Sequence, residues 1–427
     1  MTLALDQADH LTARHDVLAE ADPDIARLIE REGERQHDTL EMIASENHVS
    51  SAVRAAAGSV LTNKYAEGYP AARYYNGCGI YDEVEQLAID RACRLFGCEH
   101  ANVQPHSGAN ANLGVMLGLF KPGDTFLSIN LASGGHLSHG MKLNVSAKMF
   151  NPVHYELDAD ERIDFDDVLA KAKEHKPAFI MCGYSAYPRT IDFAKFRDIA
   201  DEVGAVLWAD IAHIAGLVAG GAHPSPFPHC DVVTTTTHKT LRGPRGGLIL
   251  CNDDEILKKV NRGIFPGSQG GPLMHIVAAK AVAFGEALEP SFKDYAAQVV
   301  TNAKTLAEAL QSKGYRLVGG GTDTHLVLVD LRDKDAELTG RDAADALESA
   351  GIIANMNGVP NDSRPPRLTS GVRLGTAALT TRGLVEDDIH HVANFIDRAF
   401  AAVGDDATLA SLRSEVSAFA GRFPMPG

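Results

Sequence analysis

The sequence predicts an α/β protein: a three-layer αβα large domain with a mostly parallel sheet, followed by a smaller α+β C-terminal domain. Three observations carry this. From about residue 56 to 270, amphipathic helical stretches alternate with short apolar runs, the order that builds a helix-covered parallel sheet. Those runs do not alternate cleanly with polar residues, as expected of strands buried on both faces. A long alanine-rich helix then leads into a separate mixture of helices and strands. The 427 residues, 45% hydrophobic and 22% charged, suit an ordinary globular chain of about two or three domains. We expect an N-terminal helical arm over 1–55, the large domain over 56–290 and the small domain over 291–427.

Asp22-Pro23-Asp24 reads as a helix start, with an acid at the N-cap and proline in the first turn; Ile25, Leu28 and Ile29 follow on one face. Val84, Leu87, Ala88, Ala92, Leu95 and Phe96 keep helical spacing up to Gly97. Phe193, Phe196, Ile199, Ala200 and Val203 repeat it before Gly204. Strands are expected at Thr125–Ile129, Ala178–Cys182, Ala205–Ala209, Asp231–Thr234 and Gly247–Cys251. A helix from about Tyr295 to Ser312 leads to a strand at His325–Asp330, and Ser363–Arg367 reads as loop.

Forty Lys and Arg against 56 Asp and Glu leave a formal charge of −16. A field of that sign repels polyanions, so neither nucleic acid nor an anionic membrane is an expected partner, and any phosphate must be held locally. No stretch approaches the ~20 apolar residues of a membrane span, and MTLALDQADH lacks a basic, then apolar, leader. A cytoplasmic location is the expectation. The six cysteines form no CxxC or Cys/His cluster, so no disulfide framework and no metal site are expected.

One candidate cluster is Asp210-Ile211-Ala212-His213 with Thr234-Thr-Thr-Thr237-His238-Lys239. Strand C-terminal ends converge on the ligand crevice of a parallel sheet, which would bring Asp210 and Lys239 to one place. Lysine and carboxylate together suit pyridoxal phosphate, whose aldehyde needs an amine and whose ring nitrogen needs an acid to keep it protonated. Asp210 as a turn cap and Lys239 as a surface lysine is the alternative. The threonines offer hydroxyls to a ligand, or are simply good strand formers. His106-Ser107-Gly108-Ala109-Asn110-Ala111-Asn112, running into an apolar helix over Leu113–Phe120, offers free N–H groups to a phosphate; Ser107 as an ordinary N-cap is the plainer reading. Gly243–Gly247 and Phe265–Gly271 supply close-approach glycines, or turns. Tyr65, Glu67, Tyr69, Tyr74 and Tyr75 gather proton-transfer groups, or tie down a loop.

Together the runs LTNKYAEGYP, QPHSGA, DIAHIAGL, VVTTTTHKTLRGPRGG, FPGSQGGPLMH and SGVRLGT closely resemble serine hydroxymethyltransferase, a pyridoxal-phosphate family of the aspartate-aminotransferase-like fold, from about Leu18 to Gly383. The resemblance implies Lys239 as the Schiff-base lysine, Asp210 as partner of the pyridinium, and His136 as the ring stacked on the cofactor. It implies Ser107, Gly108, Ala109 and His238 at the phosphate, Gly270 and Gly271 at the neighbouring subunit's phosphate, and Ser185 and His213 near the ring oxygen. Arg373, Ser45 and Tyr75 would bind the substrate carboxylate, for which the planar guanidinium is suited. Glu67, with Tyr65 beside it, would be the acid–base group, contributed to the partner's site in a homodimer or tetramer. Tetrahydrofolate, the co-substrate, would meet Leu131, Gly135, Leu137, Tyr74 and Asn357. The implied reaction converts serine and tetrahydrofolate to glycine and methylenetetrahydrofolate.

Three positions depart from the family pattern: Arg367 and His48 stand where apolar residues are usual, and Asn110 replaces a common glutamine. The motifs leave three alternatives open: α-methylserine as donor, a folate-independent β-hydroxy amino acid aldolase, and a cofactor-binding protein with no main activity.

Overall fold

The computed structural model describes residues 17–426, so residues 1–16 of the expected arm lie outside the described residues. The helix Pro23–Asp38 starts as its sequence dictates, with the Asp22 carboxylate accepting from the Ile25 N–H at 3.1 Å. The expected packing face is a correction. Ile25, Leu28 and Ile29 are each about half exposed, and Ala26 is the residue that packs. The chain then forms β1 (Leu40–Glu41) and a short hairpin of β2 (Gly68–Tyr69) and β3 (Ala72–Arg73). Arg73 fixes this hairpin by pairing with Asp82 at 2.8 Å and buried Glu85 at 2.6 Å, and by donating to Ala66 O and Gly68 O.

The central sheet contains β4 (His100–Asn102), β5 (Thr125–Ile129), β6 (Asn151–Tyr155), β7 (Phe179–Gly183), β8 (Val206–Asp210), β9 (Val232–Thr236) and β10 (Gly247–Cys251), in the order β4-β10-β9-β8-β7-β5-β6. Pairing is parallel from β9 to β6, while β10 runs antiparallel to both its neighbours. The five expected strands occur within one or two residues of their expected bounds. Side chains from alternate positions enter two cores: Phe126, Phe179, Met181, Trp208, Val232 and Ile249 face one layer, and Leu127, Ile180, Cys182, Leu207, Val233 and Leu250 the other. Both faces being buried is why the strands lack a polar alternation.

Helix Gly79–Phe96 ends at Gly97 in the left-handed region, φ 67°, as expected, but Leu87 on its predicted inner face is exposed. Helix Gly108–Leu119 lies against helix Asp254–Ile264 at a crossing lined by Gly114, Gly118 and Gly263. A Cβ on Gly118 would stand 2.5 Å from Lys259 O, and one on Gly263 would strike Gly114 O. Backbone contact at this crossing fixes where the N-terminus of helix Gly108–Leu119 points.

Helix Pro290–Ser312 leads to β11 (Arg316–Leu317), β12 (Leu326–Asp330), β13 (Ile352–Ile353), β14 (Asn355–Asn357) and β15 (Gly371–Gly375). Four of these form an antiparallel sheet, β11-β12-β15-β14, while β13 pairs in parallel with β1. Leu317, Val327, Val329, Val372 and Leu374 pack with Leu306, Leu310, Ile389 and Ile396 in a core separate from that of the large sheet. Buried Arg382 ties the end of helix Pro23–Asp38 to the end of helix Asp406–Ala420, donating to the carbonyls of Gln36, His37 and Thr39 and to those of Ala420 and Phe423. Among the described residues no helix is long and apolar enough to cross a membrane.

Candidate active site

A pocket of about 370 Å³ opens where the C-terminal ends of β7, β8 and β9 meet β15 of the second sheet. Its walls bring together Ser45, Ser107, Gly108, Ala109, His136, Ser185, Asp210, His213, His238, Lys239 and Arg373. The register explains part of this, since Gly183, Asp210 and Thr234 are aligned across β7, β8 and β9. Lys239 is the third residue after β9, where Asn47 Nδ2 donates to its carbonyl at 3.0 Å and Tyr295 OH to the next carbonyl at 3.1 Å.

Asp210 is buried and accepts three hydrogen bonds: His139 Nε2 at 3.0 Å and Asn112 Nδ2 at 2.9 Å on Oδ2, and Ala212 N at 3.0 Å on Oδ1. Burial works to raise its pKa, but the donors, with the charges of His139 and His136, outweigh it and hold the carboxyl below the usual range. Lys239 goes the other way. Burial lowers its amine from 10.5 to about 8, helped by Arg373 and Arg245 and opposed by Asp210. Burial also pushes His136 down to about 4 and His238 to about 3, and keeps His213 neutral.

Ser107 caps helix Gly108–Leu119, its Oγ accepting from Asn110 N at 3.1 Å and donating to Asn110 Oδ1 at 2.9 Å, so Asn110 serves the cap. Thr236 is the threonine that reaches the pocket; Thr234 Oγ1 takes the Trp208 indole N–H at 2.9 Å, and Thr235 and Thr237 donate to backbone carbonyls. On the opposite wall, buried Arg373 donates through Nη1 to Ser185 O at 2.7 Å and through Nε and Nη2 to Asn355 Oδ1 at 3.2 and 3.1 Å, with Ser45 Oγ at 3.5 Å. No carboxylate pairs with it among the described residues. A guanidinium so placed is available to a ligand carboxylate.

The arrangement offers an amine nucleophile near neutrality, an ionised carboxylate, a helix N-terminus and a guanidinium with no carboxylate partner among the described residues. A Cβ on Gly108 would lie 2.6 Å from Thr236 Cγ2, so the helix start is seated directly on β9. This donor set fits a phosphorylated pyridine aldehyde joined to an amino acid.

Other expected residues lie outside this pocket. Tyr65, Glu67, Gly270 and Gly271 form their own cluster: a Cβ on Gly270 would meet Glu67 Oε1 at 3.3 Å, and one on Gly271 would meet Tyr65 Cδ1 at 2.8 Å. Tyr75 stacks obliquely on Tyr65 at 5.7 Å, not on Arg373, and Tyr74 packs edge-on to Phe265 at 5.5 Å. Leu131 and Leu137 are exposed, while Gly135 is buried where a Cβ would stand 2.7 Å from Ile129 O. Asn357 turns its amide to Gly358 O at 2.7 Å. Arg367 is exposed, and His48 is buried with Nε2 unbonded and its pKa lowered by burial to about 4, which makes it a packing residue.

Sequence reasoning gave no role to Asn112, His139, Asn355, Glu46 and Arg245, although Asn112 and Arg245 stand in segments it singled out. Two of these carry a signal: Asn112 is one helical turn after Gly108, and Asn355 lies directly across from Arg373 in the β14–β15 register.

A family model described as serine hydroxymethyltransferase matches residues 18–396. The chain is 59% identical over 420 residues to the serine hydroxymethyltransferase of Synechococcus sp. (strain JA-3-3Ab), covering 96% of this chain and 97% of the relative. It is 57% identical over 409 residues to that of Leptospira biflexa, covering 96% and 98%. It is 56% identical over 411 residues to that of Crocosphaera subtropica, covering 96% of each.

Proposed function

The chain belongs to the serine hydroxymethyltransferase family, pyridoxal-phosphate-dependent enzymes of the aspartate-aminotransferase-like fold, and from that premise we propose how its residues interconvert serine plus tetrahydrofolate and glycine plus methylenetetrahydrofolate. The observation that carries the assignment is the meeting, in one pocket, of a Lys239 amine near neutrality, an ionised Asp210 and an unpaired Arg373. When bound, pyridoxal phosphate supplies an aldehyde for an amine and a protonated ring that withdraws electrons from the bond being broken.

Lys239 would hold the cofactor through its aldehyde, and an amine lowered to about 8 keeps a useful neutral fraction for that role. Asp210, kept ionised by His139 and Asn112, would keep the ring nitrogen protonated. Ser107, Gly108, Ala109 and His238 would receive the phosphate, and His136, Ser185 and His213 would hold the ring. Arg373 orients the substrate carboxylate, with its own fork fixed by Asn355 and assisted by Ser45.

Glu67 moves the proton of the serine hydroxyl. Since Glu67, Tyr65, Tyr75, Gly270 and Gly271 are absent from this chain's pocket, a second copy brings them to it, and the working unit is a homodimer or a tetramer built from it. Tyr74, Leu131, Gly135, Leu137 and Asn357 would form the folate edge, where exposed Tyr74, Leu131 and Leu137 offer apolar surface to the rings of the co-substrate.

Turnover of serine and α-methylserine, each with and without tetrahydrofolate, tests this reading. We expect folate-dependent turnover with serine preferred; equal use of α-methylserine, or turnover indifferent to folate, overturns it. Mixing Lys239→Ala with Glu67→Ala chains, each inactive alone, should restore about a quarter of wild-type activity if sites are shared, because half the random dimers then contain one intact site of two. Absence of complementation between chains shown to exchange overturns the shared site.

A further inference from the structure

Lys280, in the helix Met274–Ala287, is sealed from solvent at 1% exposure. Its Nζ donates to three main-chain carbonyls: Val103 O at 2.7 Å, Gly247 O at 2.8 Å and Pro105 O at 3.0 Å. No carboxylate lies within ion-pair distance of it among the described residues. Burial alone drives its pKa from 10.5 to about 7, with Glu85 opposing. Three acceptors nevertheless demand three N–H donors, and a neutral amine has two, so this geometry belongs to the ammonium.

The carbonyls it grips come from two segments. Val103 and Pro105 lead directly into Ser107 and Gly108, and Gly247 opens β10, whose N–H donates back to Pro105 O at 3.0 Å. The lysine stem lies against Gly246, where any Cβ would collide with it, and Gly246 N faces His238 Nδ1 at 3.4 Å. One ammonium therefore braces the segment after β4 that leads to the Ser107 cap and the turn that abuts His238. An ion buried without a counter-ion costs several kcal/mol, which an anion seated nearby in low dielectric offsets.

We propose that Lys280 is a positioning residue for the phosphate cradle, fixing Ser107, Gly108 and His238 for a phosphorylated ligand and placing a buried positive charge behind them. The proposal rests on the reading that those three residues receive the cofactor's phosphate.

The test titrates full-length apoenzyme with pyridoxal phosphate and with pyridoxal, which lacks the phosphate, in wild type, Lys280→Met and Lys280→Gln; the glutamine keeps two N–H donors without the charge. We expect both variants to lose tenfold or more of the wild-type preference for the phosphorylated aldehyde, with pyridoxal affinity unchanged. An unchanged preference, or equal losses for both aldehydes, overturns the proposal. So does failure of both variants to give folded apoenzyme, which assigns Lys280 to the core alone. A wild type without any preference for the phosphorylated form instead overturns the cradle reading itself, and the proposal with it.

Discussion

Replacing Lys239 by methionine should make the cofactor-free protein more stable. The side chains are of similar length, and Met needs no hydration where Lys239 is 8% exposed. Burial, against the pull of Asp210, brings the amine from 10.5 to about 8. At about 1.4 kcal/mol per pH unit, the folded apoprotein bears a penalty of about 3 kcal/mol at pH 7 for keeping this group charged. The sign follows from proton counts. Below the folded pKa both states bind the proton and the penalty is complete. Between about 8 and 10.5 the unfolded chain binds more protons, so wild-type stability rises with pH, and above 10.5 the penalty is gone. Urea unfolding of both apoproteins at one protomer concentration should show Lys239→Met ahead by about 3 kcal/mol at pH 7 and by less than about 1 kcal/mol at pH 10. No gap at pH 7, or a gap that does not shrink with pH, refutes the reasoning.

Asn112→Ala removes one of three donors to Asp210 and should weaken cofactor binding about tenfold, read by absorbance titration. Because Asp210 is held below the usual carboxylate range, its contribution to stability is complete at neutral pH and fades with acid; the same variant, by raising that pKa, should bring acid unfolding in at higher pH. Gly263→Val drives a side chain into Gly114 O and should cost more than ~3 kcal/mol by thermal or urea unfolding, whereas Gly33→Ala, with open space around it, should cost nothing measurable. Arg382→Met removes the side chain that donates to five carbonyls, of which Ala420 O keeps the Phe423 N–H, and should destabilise by ~3 kcal/mol or more, with proteolysis beginning near Gln36–Thr39 and Ala420–Phe423.

The inner strands were legible because burial on both faces leaves a short apolar run set between turn signals, in alternation with amphipathic helices. The two unread strands sit at opposite edges of the sheet. β4 is His-Ala-Asn and β6 opens with Asn-Pro, and neither composition signals a strand. Helix starts at Asp22 and Ser107 were legible through their caps, but the direction of a helix's apolar face was not. Ile25, Leu28, Ile29 and Leu87 have core spacing yet face outward. Periodicity reports that a face is apolar and says nothing of what covers it. In the pocket, residues embedded in distinctive motifs were found, while Asn112, His139 and Asn355 were given no role, because each acts by holding another side chain and ordinary helices, loops and strands carry such residues for many reasons.

Asp210 ends a strand of the large sheet and Arg373 lies within a strand of the small one, and the two sheets have separate hydrophobic cores. A ligand bonded to both therefore straddles a boundary that apolar packing crosses through a small cluster of Ala186, Val318, Leu328 and Val359 and through Ala377 on the larger core. Its binding free energy acts as coupling between two melting units. In calorimetry the unliganded chain should show a broad, low-cooperativity transition, and the amino-acid-bound holoenzyme a sharper one, so that cooperativity of unfolding, as much as midpoint, becomes a measure of site occupancy.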